Sequence, residues 1–171
     1  MWMPRTCAAL VLAMLPPAQV FTAGHIEQQA RKPSPAQQKA LLSAVQNATG
    51  EHSPNLLEDF SVFAGQLAET GPPAIFATSE NFGCGVHPNC IFLVFRPESG
   101  NDVPILNTVP GAYDLLSSRH SGYRDLVLQN YQGIHTMVSV WRYDGRQYRI
   151  YACTDETSEG TQNRVPIDRC G

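Results

Sequence analysis

Beyond its first two dozen residues the sequence has no long hydrophobic run, and nothing in it approaches the roughly 20 apolar residues that a membrane-spanning helix requires. No transmembrane anchor is predicted. The usual marks of catalysis and cofactor binding are also missing: there is no G-x-S-x-G elbow, no H-E-x-x-H helix, no P-loop and no dinucleotide-binding glycine fingerprint. The sequence calls for no cofactor. Basic charge is scarce, with 12 Lys and Arg against 15 Asp and Glu and a formal charge of −3. Such a balance makes nucleic acid, whose phosphates are met by clustered Lys and Arg, a poor partner. No unit recurs three or more times, which excludes a solenoid or a closed propeller.

What is present comes in three parts. Residues 1–23 combine one positive charge at Arg5, the apolar run "CAALVLAML" and small residues near Ala23 and Gly24, the layout of a secretory signal peptide. The expected location is periplasmic or secreted. Its removal takes one base and no acid, moving the formal charge from −3 to −4, which favours a basic protein as partner. Residues 24–33 are polar and aperiodic and read as a flexible mature terminus. Residues 34–171 are long enough for one domain with its own core.

Two helix signatures lead that domain. Ser34 as N-cap, Pro35 at the first helical position, Gln37 closing a capping box and Gly50 beyond the end bracket a stripe of Ala40, Leu41, Ala44, Val45 and Ala48. Ser53 and Pro54 repeat the device before Gly71, with Leu56, Phe60, Phe63 and Leu67 on one face. From Pro73 the period changes to two, in "AIFAT", "CIFLVFR", "VPILNT", "YRDLVLQNY", "HTMVSVWRY" and "RQYRIYAC". Asp144-Gly145 is a type I′ hairpin signal that would set Trp141 opposite Tyr148 and Ser139 opposite Ile150, with Met137, Trp141, Tyr148, Ile150 and Ala152 on one face. A loose echo between "AIFAT…CIFLVFRPESGNDVPIL" and "DLVLQN…VSVWRYDGRQYRI" reads as two meanders in one sheet. The expected fold is α+β: two N-terminal helices on an antiparallel sheet of about six to seven strands.

Export decides how the cysteines are read. Cys7 leaves with the leader, and Cys84, Cys90, Cys153 and Cys170 remain as an even set in an oxidising compartment. Closing short loops costs the chain least entropy, so Cys84–Cys90 and Cys153–Cys170 are the expected disulfides, each contributing about 2–3 kcal/mol. A zinc site at "CGVHPNC" would need a fourth ligand from a second short-spaced pair, and there is none. A redox role would need a C-x-x-C motif at a helix start.

Three functional classes follow. In the first, the Cys84–Cys90 staple holds "GVHPN" as a preorganised recognition element, with His87 as its probe and Val86, Pro88 and Asn89 as the rest of the contact surface. A histidine suits an acidic cleft, because it donates to one carboxylate when neutral and to two when protonated. The same loop also reads as a structural staple. In the second class, "SSRHSGYRD" gathers Ser117, Ser118, His120, Ser121, Arg124 and Asp125, and a small hydrolase would use Ser118, His120 and Asp125. The cluster also reads as a surface loop with Gly122 in its turn and Arg124 or Asp125 paired locally. The third class is a passive envelope protein. "NAT" at Asn47 fits a glycosylation acceptor but coincides with a helix end.

The stretch "FATSENFGCGVHPNCIFLVFRPESGNDVPILNT" resembles the core of the periplasmic inhibitors of vertebrate lysozyme. That resemblance implies a helical start, an antiparallel sheet, and a disulfide-bracketed loop whose histidine enters the lysozyme active site, so that His87 would meet the target's catalytic carboxylates. The family places four residues between its cysteines, with Pro before the His and an acid after it. Here five intervene, Val86 precedes His87 and Pro88 follows. The C-terminal half, "SGYRDLVLQNY…VSVWRYDGRQYRIYAC", resembles a group of uncharacterised exported bacterial proteins with a "GYRDL" strand and a "RYDG" hairpin ending in Cys. It is also similar to integrin-like FG-GAP repeats, without their Asp-rich calcium loop.

Overall fold

The computed structural model describes residues 35–80, 84, 89–98, 101–157 and 162–170. The expected leader (1–23), the 24–33 segment, the expected Ser34 cap and residues 85–88 lie outside these. Helix α1 (Pro35–Thr49) begins at the expected proline and ends at Gly50, whose φ of 77° is readily adopted by glycine alone. Leu41, Ala44 and Val45 bury its apolar stripe, with Ala48 packed beside them.

The second expected helix is not formed. A 3-10 turn (Leu56–Asp59) leads instead into strand β1 (Phe60–Gly65). In a helix, Val62 would point away from the face carrying Phe60 and Phe63, while Ala64, four residues after Phe60, would lie beside it. In the strand, Phe60, Val62 and Ala64 face α1, while Phe63 points the other way. Burying both faces outweighs the helix signature, and β-branched or aromatic residues and Gly65 weaken a helix here in any case.

Among the described residues eight strands follow: β2 (Ala74–Ser79), β3 (Phe92–Glu98), β4 (Asn101–Thr108), β5 (Ala112–His120), β6 (Tyr123–Gln132), β7 (His135–Tyr143), β8 (Tyr148–Thr157) and β9 (Gln162–Arg164). They form two antiparallel meanders rather than one sheet of six or seven strands: a four-stranded sheet β1-β2-β3-β4 and a five-stranded sheet β5-β6-β7-β8-β9. The two halves of the sequence echo are thus separate layers. Both carry a β-bulge just before an aromatic-Arg pair, between Val94 and Phe95 in one and between Val140 and Trp141 in the other.

Three layers result. The inner sheet packs Ile75, Ala77, Leu93 and Phe95 on α1, and Phe63, Phe76, Phe92 and Val94 on the outer sheet's Tyr113, Leu126, Leu128, Tyr143 and Tyr148. Phe92 stacks on Tyr113 with ring centroids 4.1 Å apart, and Phe63 on Phe76 at 5.2 Å. Each such fully buried side chain contributes about 1.5–3 kcal/mol. The apolar runs "AIFA" and "FLVF" follow from this position, since a sheet covered on both faces needs apolar side chains at every step.

The β7–β8 register also departs from expectation. Trp141 lies opposite Ile150 and Tyr143 opposite Tyr148, across a four-residue turn in which Asp144 Oδ1 accepts from the Arg146 and Gln147 amides, each at 2.8 Å. Val140 then pairs with Ala152, leaving Tyr151 as the extra residue. Ser139 accordingly faces Cys153 rather than Ile150, and Ala152 leaves the shared apolar face. The expected disulfides, Cys84–Cys90 and Cys153–Cys170, are both present.

Candidate functional site

The stapled loop grows out of the β2–β3 connection, and its base is bonded to both sheets. Buried Ser79 donates its amide to Ile91 O and accepts the Ile91 amide on its hydroxyl, both at 2.9 Å. Cys90 donates its amide to Pro110 O at 3.0 Å. Asn89 reaches across to β6: its Nδ2 donates to Tyr131 O at 2.8 Å and Asn130 Oδ1 at 3.0 Å, while its Oδ1 accepts the Tyr131 amide at 3.0 Å. Gly111 leaves room for this crossing, because a Cβ there would overlap the Tyr131 ring and come within 2.8 Å of Asn89 Oδ1. Of the four predicted contact residues, Asn89 is thus engaged as a tie between the sheets. Val86, His87 and Pro88 lie outside the described residues.

The second candidate, "SSRHSGYRD", occupies the β5–β6 hairpin. Ser121 and Gly122, with φ of 48° and 82°, form its two-residue turn, the positive-φ pair that a type I′ hairpin demands. Leu115 pairs with Leu126 and Arg119 with Arg124, so Leu116, Ser117 and Ser118 together span the place of Asp125 alone. This wide bulge releases carbonyls from the ladder, and the Arg124 guanidinium takes them, Nε donating to Leu116 O at 2.8 Å and Nη2 to Leu115 O at 3.0 Å. Arg119 donates to Leu67 O at 2.7 Å and docks the hairpin on the inner sheet's connection. Tyr148, buried beneath, donates its hydroxyl to Arg124 O at 2.7 Å, and burial pushes its pKa up.

The bulge also turns Ser118 toward Asp125, which is 1% exposed. Ser118 Oγ donates to Asp125 Oδ2 at 2.7 Å, and His120 Nδ1 lies 2.7 and 2.9 Å from the two carboxylate oxygens. Arg142, from β7, brings Nε to 3.6 Å of Oδ2. Ser118 and His120 therefore both meet Asp125, while Ser117, Ser118 and Ser121 are each exposed. Nδ1 is the His120 nitrogen that faces the carboxylate. The Ser118 proton goes to the same carboxylate. A Ser-His-Asp relay requires the imidazole between the other two groups, and here the carboxylate stands between.

Arg142 is the member of this cluster that sequence reading missed. It lies 17 positions beyond Asp125 on another strand, and only the β6–β7 register, which sets Leu126 opposite Trp141, brings it alongside. No protein-family model, curated protein or solved structure matches the chain.

Proposed function

We propose that this is an exported, non-enzymatic binding protein whose recognition element is the Cys84–Cys90 loop, and that its target is a lysozyme inhibited by insertion of His87 between the catalytic carboxylates. The observation that carries the reading is the anchoring of the loop's base. A disulfide, the paired Ser79 and Ile91 bonds, the Cys90 amide and the three-bond Asn89 tie hold its ends against both sheets. A loop fixed in this way loses little conformational entropy on binding. The acidic balance of the chain assists encounter with a basic enzyme. The hydrolase alternative has weaker support, because the Ser118 hydroxyl is donated to Asp125 and not to His120.

The test is a lysis assay in which the oxidised mature protein is titrated against several lysozymes beside its His87→Ala variant. Stoichiometric inhibition that falls at least tenfold in the variant is expected, since a buried charge-assisted contact is worth about 1.5–3 kcal/mol. Absence of inhibition toward every lysozyme would sink the reading.

A further inference from the structure

The chain as a whole is acidic, yet three of its 12 basic residues fall within the eight positions of "RYDGRQYR". The β7–β8 hairpin brings them together. Arg142 and Arg149 are direct cross-strand partners, so both side chains project from the same face, the one opposite the buried Tyr143–Tyr148 pair. Like charges placed directly opposite one another are destabilising unless something compensates them. Arg146, in the connecting turn, is exposed.

The local acids compensate only in part. The Asp144 carboxylate accepts two turn amides and stands 3.6 Å from Arg149 Nε. The Gln147 side chain, oriented with its oxygen toward Arg149, accepts from Nε at 2.9 Å. Even so, the Arg149 side chain is 68% exposed. Asp125, already accepting from Ser118 and His120, stands 3.6 Å from Arg142 Nε, an ion-pair distance. That Nε is a buried donor with no hydrogen-bond partner among the described residues.

Tyr151 gives this face its second property. As the extra residue of the β8 bulge it stands out from the sheet at 55% exposure, and the Arg142 guanidinium lies over its ring, 3.2 Å from the centroid. Stacking of this kind fixes the guanidinium plane and leaves its edge N–H groups for a carboxylate or phosphate fork. The result is an open strand face bearing two arginines, a third at its tip and an amphipathic ring.

We infer that this face is a second, separate binding site, for an acidic polysaccharide whose carboxylate or phosphate groups are gripped by Arg142, Arg146 and Arg149 while a sugar ring rests against Tyr151. An extended chain fits an open strand face, and an anion relieves the opposed arginines. The site does not involve the stapled loop.

The oxidised protein is titrated calorimetrically at low ionic strength with polygalacturonate, a phosphomannan, neutral dextran and a single-stranded oligonucleotide. Binding to one or both acidic glycans but not to dextran is expected, weakened severalfold in about 0.5 M salt as exposed charges are screened. The preferred glycan identifies the anion. The Arg142→Gln/Arg149→Gln protein should bind at least tenfold more weakly. Because Arg142 also touches Asp125, an Arg146→Gln/Arg149→Gln protein, altered only at exposed positions, should show a loss in the same direction, and His87→Ala should show none. The inference is overturned if neither acidic glycan binds, if dextran binds equally well, if the oligonucleotide binds more tightly than both glycans, or if Arg146→Gln/Arg149→Gln binds like the parent.

Discussion

Two side chains, Asp125 and Asn89, hold distant strands together by collecting polar groups that would otherwise lack partners. Asp125 serves Ser118 from the β5 bulge, His120 from the hairpin end and Arg142 from β7. Its removal would leave these donors without their acceptor at a site that is almost fully buried. Asp125→Ala is therefore expected to lower stability by about 3 kcal/mol, the usual scale for breaking a buried charged network by taking one partner away. Urea unfolding checks this, and Asp125→Asn, which keeps an acceptor oxygen, should lose less. The polar density of "SSRHSGYRD" was legible in the sequence, and so were Gly122 in the turn and a local partner for Asp125. That Arg124 would turn to the Leu115 and Leu116 carbonyls was not, because those carbonyls become available only once the bulge exists.

At the level of elements, turn chemistry was read correctly in kind and misplaced in position. Asp144-Gly145 resembled a two-residue type I′ turn, but the hairpin there uses four residues because both Asp144 Oδ1 bonds reach forward to Arg146 and Gln147. The two-residue positive-φ turn is Ser121–Gly122 instead. Serine at φ 48° is tolerated rather than favoured, and asparagine adopts this region more readily. Ser121→Asn should stabilise the protein by about 0.5–1 kcal/mol, seen as a rise of roughly 1–4 °C in Tm. A fall in Tm would mean that the serine has a local role beyond the turn. The β1 segment failed as a helix for a different reason. Its 3-4 spacing of Leu56, Phe60, Phe63 and Leu67 was real, but the layers on either side of it needed opposite faces filled.

For the whole molecule, the helix, inner sheet and outer sheet form a stack, and the Cys153–Cys170 disulfide ties the chain's end to its last long strand. Val165 donates its amide to Cys153 O at 3.3 Å, and the bridge sits beside Met137, Ile150 and Val165. With 17 positions between its ends, the closed loop should contribute about 3 kcal/mol by restricting the unfolded chain. The Cys153→Ser/Cys170→Ser protein is expected to lose about that much. In amide exchange it should lose protection in β9 and the Ile167–Arg169 turn, while β1–β4 keep theirs. Uniform loss across both sheets would show instead that the staple supports the entire stack.

Composition and short-range pattern by themselves determined strands β2–β4 and β6–β8 and helix α1 with its Pro35 start and Gly50 end, and they favoured the cysteine pairing, because each depends on local backbone preference or on the entropy of closing a short loop; β5 and β9, which carry no clean alternation, were not legible. Only the tertiary structure decided that there are two sheets, that Phe60 and Phe63 face opposite layers, that bulges shift the registers at Ser118 and Tyr151, and that Arg142 meets Asp125. These features depend on which surfaces are covered and on contacts between residues far apart in the chain, and no local preference encodes either.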